Sequence, residues 1–243
     1  MAASPKAQRL HWVLAGLAAL VGAFIGARLG FVVEHLSYYS HNLLEIPQFW
    51  LGGLNWQGAV AGGMAVLPLI ARKGDWPLSL AAERLSRLVL PLAVAGWIGL
   101  WSSGLGYGAS LDENLFWGMA AADESGVVAL RTPTQPMAIL SLIVFLGVLE
   151  LWLNLRDRPR LRAPLTFLIF SADMLLFSFL RADPVPPLFG LRIESWIAII
   201  YTFAGIVSTI YVLRLSHPKN RLKMPVEAKE KQSHEIESRP GTD

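Results

Sequence analysis

Six apolar runs leave this chain few ways to fold. Residues 11–36, 56–72, 88–106, 137–155, 164–181 and 195–214 carry few charges, and each is bounded by charged residues, Pro or Gly. A helix needs about 20 apolar residues to cross a hydrocarbon core. Inside lipid every backbone N–H and C=O must find its partner within the protein, which a helix provides locally. With 53% hydrophobic and only 16% charged residues, the chain reads as all-α: a polytopic membrane helical bundle of about six transmembrane helices with an outward-facing glycine-rich loop region. The first run follows Lys6 and Arg9 and reads as a retained helix. A cleaved leader is the alternative, but no small-x-small site closes a short core before Arg28.

The loop charges orient the bundle. Arg72, Lys73, Arg84 and Arg87 follow the second run, and Arg156, Arg158, Arg160 and Arg162 follow the fourth. The connections after runs one, three and five are poor in Lys and Arg, holding only Arg131 in the long 108–136 stretch and Arg181 and Arg192 in the last. By the positive-inside rule the basic loops and both termini are cytoplasmic. One transmembrane domain thus spans 1–216, and the Lys-, Glu- and Ser-rich remainder, 217–243, lacks the apolar periodicity needed to offset its ordering entropy and reads as a disordered tail. The net charge of +3 is a topology signal and no pointer to nucleic acid. With no cysteine there is no disulfide, thiolate metal site or cysteine nucleophile, and neither a metal nor a cofactor is expected.

Ionisable groups within spans are expensive and point to a cavity or a paired partner. Arg28 lies in the first run, with Glu34 and His35 about two turns further on, and Asp173 lies in the middle of the fifth. Those two invite either an interhelical polar contact or, for Arg28, a substrate-facing role. Glu150 reads as a helix-end carboxylate. Arg181 ends the fifth run, two residues before Asp183, where it can snorkel to headgroup level.

Gly96–Gly118 reads GWIGLWSSGLGYGASLDENLFWG. Its glycines remove side-chain bulk, so either neighbouring helices or a ligand can approach the backbone closely. Gly52-Gly53-Leu54-Asn55-Trp56-Gln57-Gly58 sets amides beside tryptophan where a helix enters the membrane, as an interfacial anchor or as a headgroup pocket. Arg131-Thr132-Pro133-Thr134-Gln135-Pro136 is a turn and helix start.

In this order, Gly26-Ala27-Arg28-Leu29-Gly30-Phe31, the glycines of 52–58, the Gly96–Gly118 stretch and the Thr132–Gln135 turn resemble the bacterial prolipoprotein diacylglyceryl transferase family, over about residues 12–214. Phe179-Leu180-Arg181-Ala182-Asp183 is similar to that family's FFRxxD ending. The resemblance implies a plasma-membrane enzyme that moves diacylglyceryl from phosphatidylglycerol to the lipobox cysteine thiol of a prolipoprotein and releases glycerol phosphate. It implies Arg181 as a phosphate contact, with Arg28, Tyr107, Gln135 and Asp183 toward the substrates, and the headgroup-pocket reading adds Asn55 and Gln57. It also marks departures: Gln57 and Thr132 stand where the family pattern has histidines, Trp97 and Met174 where it has arginines, Leu100 and Ser103 where it has asparagines, and Leu105 and Ser178 where it has glutamates. The chain starts where the family's second helix would. Two readings follow, a divergent transferase and a non-catalytic protein that binds phospholipid or a signal peptide on the same scaffold. A transporter or scaffold built on an Arg28–Asp173 pair is a third.

Overall fold

The structure is a computed structural model that describes residues 5–112, 114–156, 160–185 and 187–215, with side chains from residue 9 onward. The expected tail, 217–243, lies outside the described residues. Eight α-helices and one hairpin make up the fold: α1 (Pro5–Glu34), α2 (Leu36–Tyr39), α3 (Trp56–Lys73), α4 (Leu78–Leu85), α5 (Val89–Ser102), β1 (Met119–Ala122), β2 (Val128–Arg131), α6 (Thr134–Arg156), α7 (Arg162–Leu180) and α8 (Ile193–Leu215). Five helical stretches are long and apolar enough to cross a membrane: Arg9–Glu34, Leu78–Ser102, Thr134–Arg156, Arg162–Leu180 and Ile193–Leu215. Exposed Leu, Ile, Val and Phe side chains cover their outer faces, as lipid rather than water requires. The protein is a multi-pass helical membrane protein.

The remaining run, 56–72, is helical as the pattern predicts, but α3 carries Gln57, Arg72 and Lys73 and is the least apolar of the six. Asn55 caps its start, accepting the Gly58 N–H at 2.8 Å, which satisfies one of the donors a helix start leaves open. Helix α3 lies against α1 along a seam of glycines. A Cβ on Gly26 would fall 2.3 Å from the Gly58 carbonyl oxygen, and one on Gly62 would fall 2.2 Å from that of Gly22. Small residues spaced by four let two membrane helices meet backbone to backbone, and Gly22, Gly26 and Gly30 facing Gly58 and Gly62 do so here.

A second group, α5 to α8, forms the main core. Trp97 from α5, Ala138, Leu142, Leu146, Leu149 and Leu153 from α6, and Phe170, Met174 and Phe177 from α7 pack together. The α6 positions follow helical spacing, so one stripe of that helix is buried and the rest meets lipid. The two groups join where Trp56 sets its ring edge against Phe170 and Tyr201 and the Tyr201 hydroxyl donates to the Gln57 carbonyl at 3.0 Å.

Three sequence expectations change. The third run is a helix only to Ser102; Gly104 and Gly106, at φ 70° and 73°, turn the chain out of it. The helix-seam reading of that stretch fails, because a Cβ on Gly96, Gly99 or Gly104 would meet nothing within 4 Å; the glycine seam belongs to α1 and α3. The long connection is also not plain loop. Met119–Ala122 pairs antiparallel with Val128–Arg131, Met119 opposite Arg131, and the turn is held by Asp123, whose Oδ1 accepts from the Ser125 and Val127 N–H groups at 3.0 Å.

Candidate functional site

The bundle has two unlike ends. The start of α1, helix α4, the end of α6 and the start of α7 gather arginines at one. At the other, the end of α5, the hairpin connection and the start of α6 close over the end of α7 and the start of α8, and the polar side chains singled out in the sequence collect there.

Arg181 is central to this glycine-loop end. It leaves α7 in extended conformation (φ −74°, ψ 138°) and bridges to Gly108, while the Ala182 N–H donates to the Tyr107 carbonyl at 2.8 Å. Its Nε and Nη2 donate side by side to Asp183 at 2.9 and 2.6 Å, and its Nη1 donates to Glu194 at 2.8 Å. Arg192 joins through Nη2 to the Asp183 carboxylate at 3.0 Å and Nη1 to the Asp183 carbonyl at 2.8 Å. Asp183 is 6% exposed and the Arg181 side chain 9%. Burial by itself pushes the Asp183 carboxyl up, but the Arg181 hydrogen bonds and charge, with Arg192 behind them, hold it below the usual carboxylate range. Burial likewise works against the Arg181 charge, and Asp183 and Glu194 more than restore it.

Two arginines and two carboxylates make the group formally neutral, yet its donors are not exhausted. Arg181 uses three of its five N–H groups, and the buried Nε of Arg192 has no hydrogen-bond partner. A further anionic oxygen can be held here without dismantling the pairs.

The glycine loop wraps this group. Gly106 brings its backbone close enough that a Cβ would sit 3.6 Å from the Arg181 Nε. Two residues at the start of α6 pin the loop: Thr134 donates its hydroxyl to the Gly106 carbonyl at 2.5 Å and Gln135 donates Nε2 to the Leu105 carbonyl at 2.9 Å. Gln135 is therefore a clamp on the loop backbone. Tyr107 is buried, with the Arg131 guanidinium 4.8 Å above its ring, and Arg131 is anchored to Asp123 of the hairpin at 3.0 Å.

Across from these lie Asn55 and Gln57. Gln57 is 3% exposed with both side-chain amide atoms unpartnered, and the Asn55 Nδ2 and one Glu34 carboxylate oxygen are likewise buried without partners. An unpaired buried amide costs about 1–3 kcal/mol. Glu34 also lies within electrostatic reach of Glu194, which ties this face to the arginine group.

Arg28 does not join them. Its Nε donates to the Ile46 carbonyl at 2.7 Å, its Nη1 to Gly52 and Gly53 at 2.6 and 3.1 Å, and its Nη2 to Glu45 and Gln48 at 2.7 and 3.2 Å. All five N–H groups are spent on the 45–53 loop, so Arg28 holds that loop in place. The Arg28–Asp173 pair is absent as well: Asp173 takes its hydrogen bond from Ser141 across the α6–α7 interface. Glu150 is the helix-end carboxylate expected, paired through both oxygens with Arg162 at 2.7 and 2.9 Å. Trp97, at the position where the resemblance implies an arginine, is core, its ring edge on Phe177 at 5.8 Å.

Sequence reading noted Glu34 and Arg192 without placing them at this end, and passed over Glu194. The signal was there: four charges fall within Arg181–Glu194, a short stretch between two apolar runs, and such density between spans rarely goes unpaired.

Apolar helices with a largely buried set of charges and amides at one end of the spans define a polytopic helical membrane protein. The family model for prolipoprotein diacylglyceryl transferase matches residues 3–211, and the chain belongs to that family. It is similar to proteins named phosphatidylglycerol–prolipoprotein diacylglyceryl transferase: 26% identical to one from Dechloromonas aromatica over 201 residues, 80% of this chain and 76% of that one. It is 28% identical to one from Streptococcus pneumoniae over 212 residues, 84% and 76% of the two chains. To one from Polynucleobacter asymbioticus it is 27% identical over 223 residues, 87% and 82%.

Proposed function

We propose that the chain acts in lipoprotein lipidation, binding phosphatidylglycerol at the glycine-loop end and passing its diacylglyceryl group to the lipobox cysteine of a prolipoprotein signal peptide. The observation that carries this is the Arg181–Asp183–Arg192–Glu194 group, two arginines held largely buried at the glycine-loop end, with the Gln57 amide buried and unpartnered at the start of α3. In the transfer the cysteine thiolate attacks the glycerol carbon next to the phosphate. A C–S bond forms, the C–O bond breaks, and the electron pair leaves on glycerol phosphate. Arg181 and Arg192 stabilise that charge, as fixed cationic donors do best in a water-poor site. Asn55 and Gln57 supply neutral hydrogen bonds to the headgroup, Asp183 and Glu194 hold the arginines in place, and Tyr107 and Gln135 hold the loop. The described imidazoles, His11, His35 and His41, are all exposed, so the thiol proton passes to solvent. The setting is a bacterial plasma membrane, with the glycine-loop end outward and both termini cytoplasmic, a reading supported by the arginines of the opposite end.

A second reading, binding without turnover, draws on Trp97, which packs in the core, and on the charge balance of the arginine group. Expression of the chain in a transferase-depleted bacterium separates the two. Restored lipoprotein modification that is lost with Arg181→Ala supports transfer. Absent modification with phosphatidylglycerol retained over neutral lipid supports binding alone, and equal retention of both lipids removes either reading.

A further inference from the structure

The arginine end holds a separate feature. A groove of about 1210 Å³ opens between α1, α4, the end of α6 and residues 160–162 at the start of α7. Arg9, Trp12, Arg84, Arg87, Arg160 and Arg162 line it, with Glu83 as its acid. Glu83 is already committed, one oxygen accepting the Ala163 N–H at 3.0 Å at the start of α7, and Arg162 is paired with Glu150. Arg9, Arg87 and Arg160 have no ion pair among the described residues. Arg84 lies 4.4 Å over the ring of Trp12, which stacks on Trp76 at 3.8 Å, and the Trp12 indole N–H is buried without a partner. Arg160 is held at φ 73°, a left-handed conformation uncommon for a residue with a side chain.

Exposed cations around a cavity repel one another, so an uncompensated set favours an anion. The floor says which kind. Val13, Leu88 and Leu153 also line the groove, and Val13 is 58% exposed. A soluble anion would gain nothing from that apolar wall, whereas an acyl chain would cover it.

We infer that this groove seats the phosphodiester headgroup of an anionic phospholipid from the leaflet at the arginine end, with its acyl chain along α1 and α6. The site is distinct from the glycine-loop end. Helix α7 runs from Arg162 at one to Leu180 at the other, and its 19 residues at about 1.5 Å each span nearly the whole hydrocarbon core. Basic pockets between helices on the cytoplasmic side bind lipid headgroups by this chemistry. The inference does not depend on turnover.

The test is native mass spectrometry of the full chain in detergent micelles with phosphatidic acid, which carries the phosphate without the glycerol headgroup, against phosphatidylcholine. An arginine near the surface is worth about fivefold in attraction to anionic lipid, so Arg87→Gln with Arg160→Gln lowers phosphatidic acid retention about thirtyfold. Arg87→Lys with Arg160→Lys keeps most of it. Both groove residues are exposed and have no ion pair among the described residues, so the variants fold; a monodisperse size-exclusion profile checks this. Unchanged retention in the glutamine variant, equal retention of phosphatidylcholine, or displacement of the lipid by millimolar inorganic phosphate each overturns the inference.

Discussion

Gly26→Ala is the sharpest probe of how the fold presents its site. The added methyl carbon would lie 2.3 Å from the Gly58 carbonyl oxygen and 2.7 Å from the Gly62 Cα, whereas a carbon and a carbonyl oxygen approach to about 3.3 Å at closest. The obstacles are backbone atoms, so no side chain can rotate away, and α1 and α3 must part by about 1 Å. Overpacking of this kind costs about 1–3 kcal/mol. Alanine is better than glycine in a helix by about 1 kcal/mol, which leaves a net loss of about 0–2 kcal/mol. Gly96→Ala is the control. Its methyl meets nothing within 4 Å, so only the propensity gain remains and the variant is neutral to about 1 kcal/mol more stable. The two variants should differ by about 1–3 kcal/mol, roughly 2–12 °C in apparent Tm for a chain of this size, read by fluorescence-monitored unfolding in one detergent at one heating rate. Because α3 carries Asn55 and Gln57, Gly26→Ala also lowers phosphatidylglycerol retention. Equal Tm shifts for the two variants would refute the assignment of the packing seam to α1 and α3.

Other substitutions test the site. Asp183 has a carboxyl held below its unfolded value of about 3.9, so its stabilising effect is complete above pH 4 and is lost as pH falls through the lower, folded pKa. Melting scans of the wild type should drop below pH 4, and Asp183→Asn should flatten that drop while lowering stability at pH 7 by about 3–5 kcal/mol, the cost of unpairing buried charges. Gln57→Leu removes two unpartnered amide atoms, so the lipid-free protein should gain about 1–3 kcal/mol while phosphatidylglycerol retention falls; a loss of both would make Gln57 merely structural. Trp97→Arg, which introduces the residue implied by the family pattern, should lower Tm without raising lipoprotein modification, since Trp97 fills the core against Phe177. A gain of modification with stability intact would contradict that placement.

The helices and their order were legible in the sequence because hydropathy over about 20 residues reports the solvent a segment faces, and that property is local. The hairpin had a signal, Asp123-Glu124-Ser125-Gly126 between short apolar stretches, which the surrounding loop composition hid. Partner choice was not legible. Gly26 and Gly96 look alike in a string, yet one touches a helix backbone and the other faces open space, since a one-dimensional spacing does not say which faces meet. Arg28 read as a costly charge in a span, and so it is; that carbonyls 17–25 residues away offset the cost depends on how the 45–53 loop folds back. Arg192 and Glu194 read as loop charges until α7 and α8 brought them to Arg181 and Asp183. Sequence alone thus determined that this chain crosses a membrane, which segments do so, and the family its motifs resemble. Only the tertiary structure decided which of its buried charges are already paired and which polar groups are still without a partner, because hydrogen bonds and ion pairs act over about 3 Å and join residues that the chain keeps far apart.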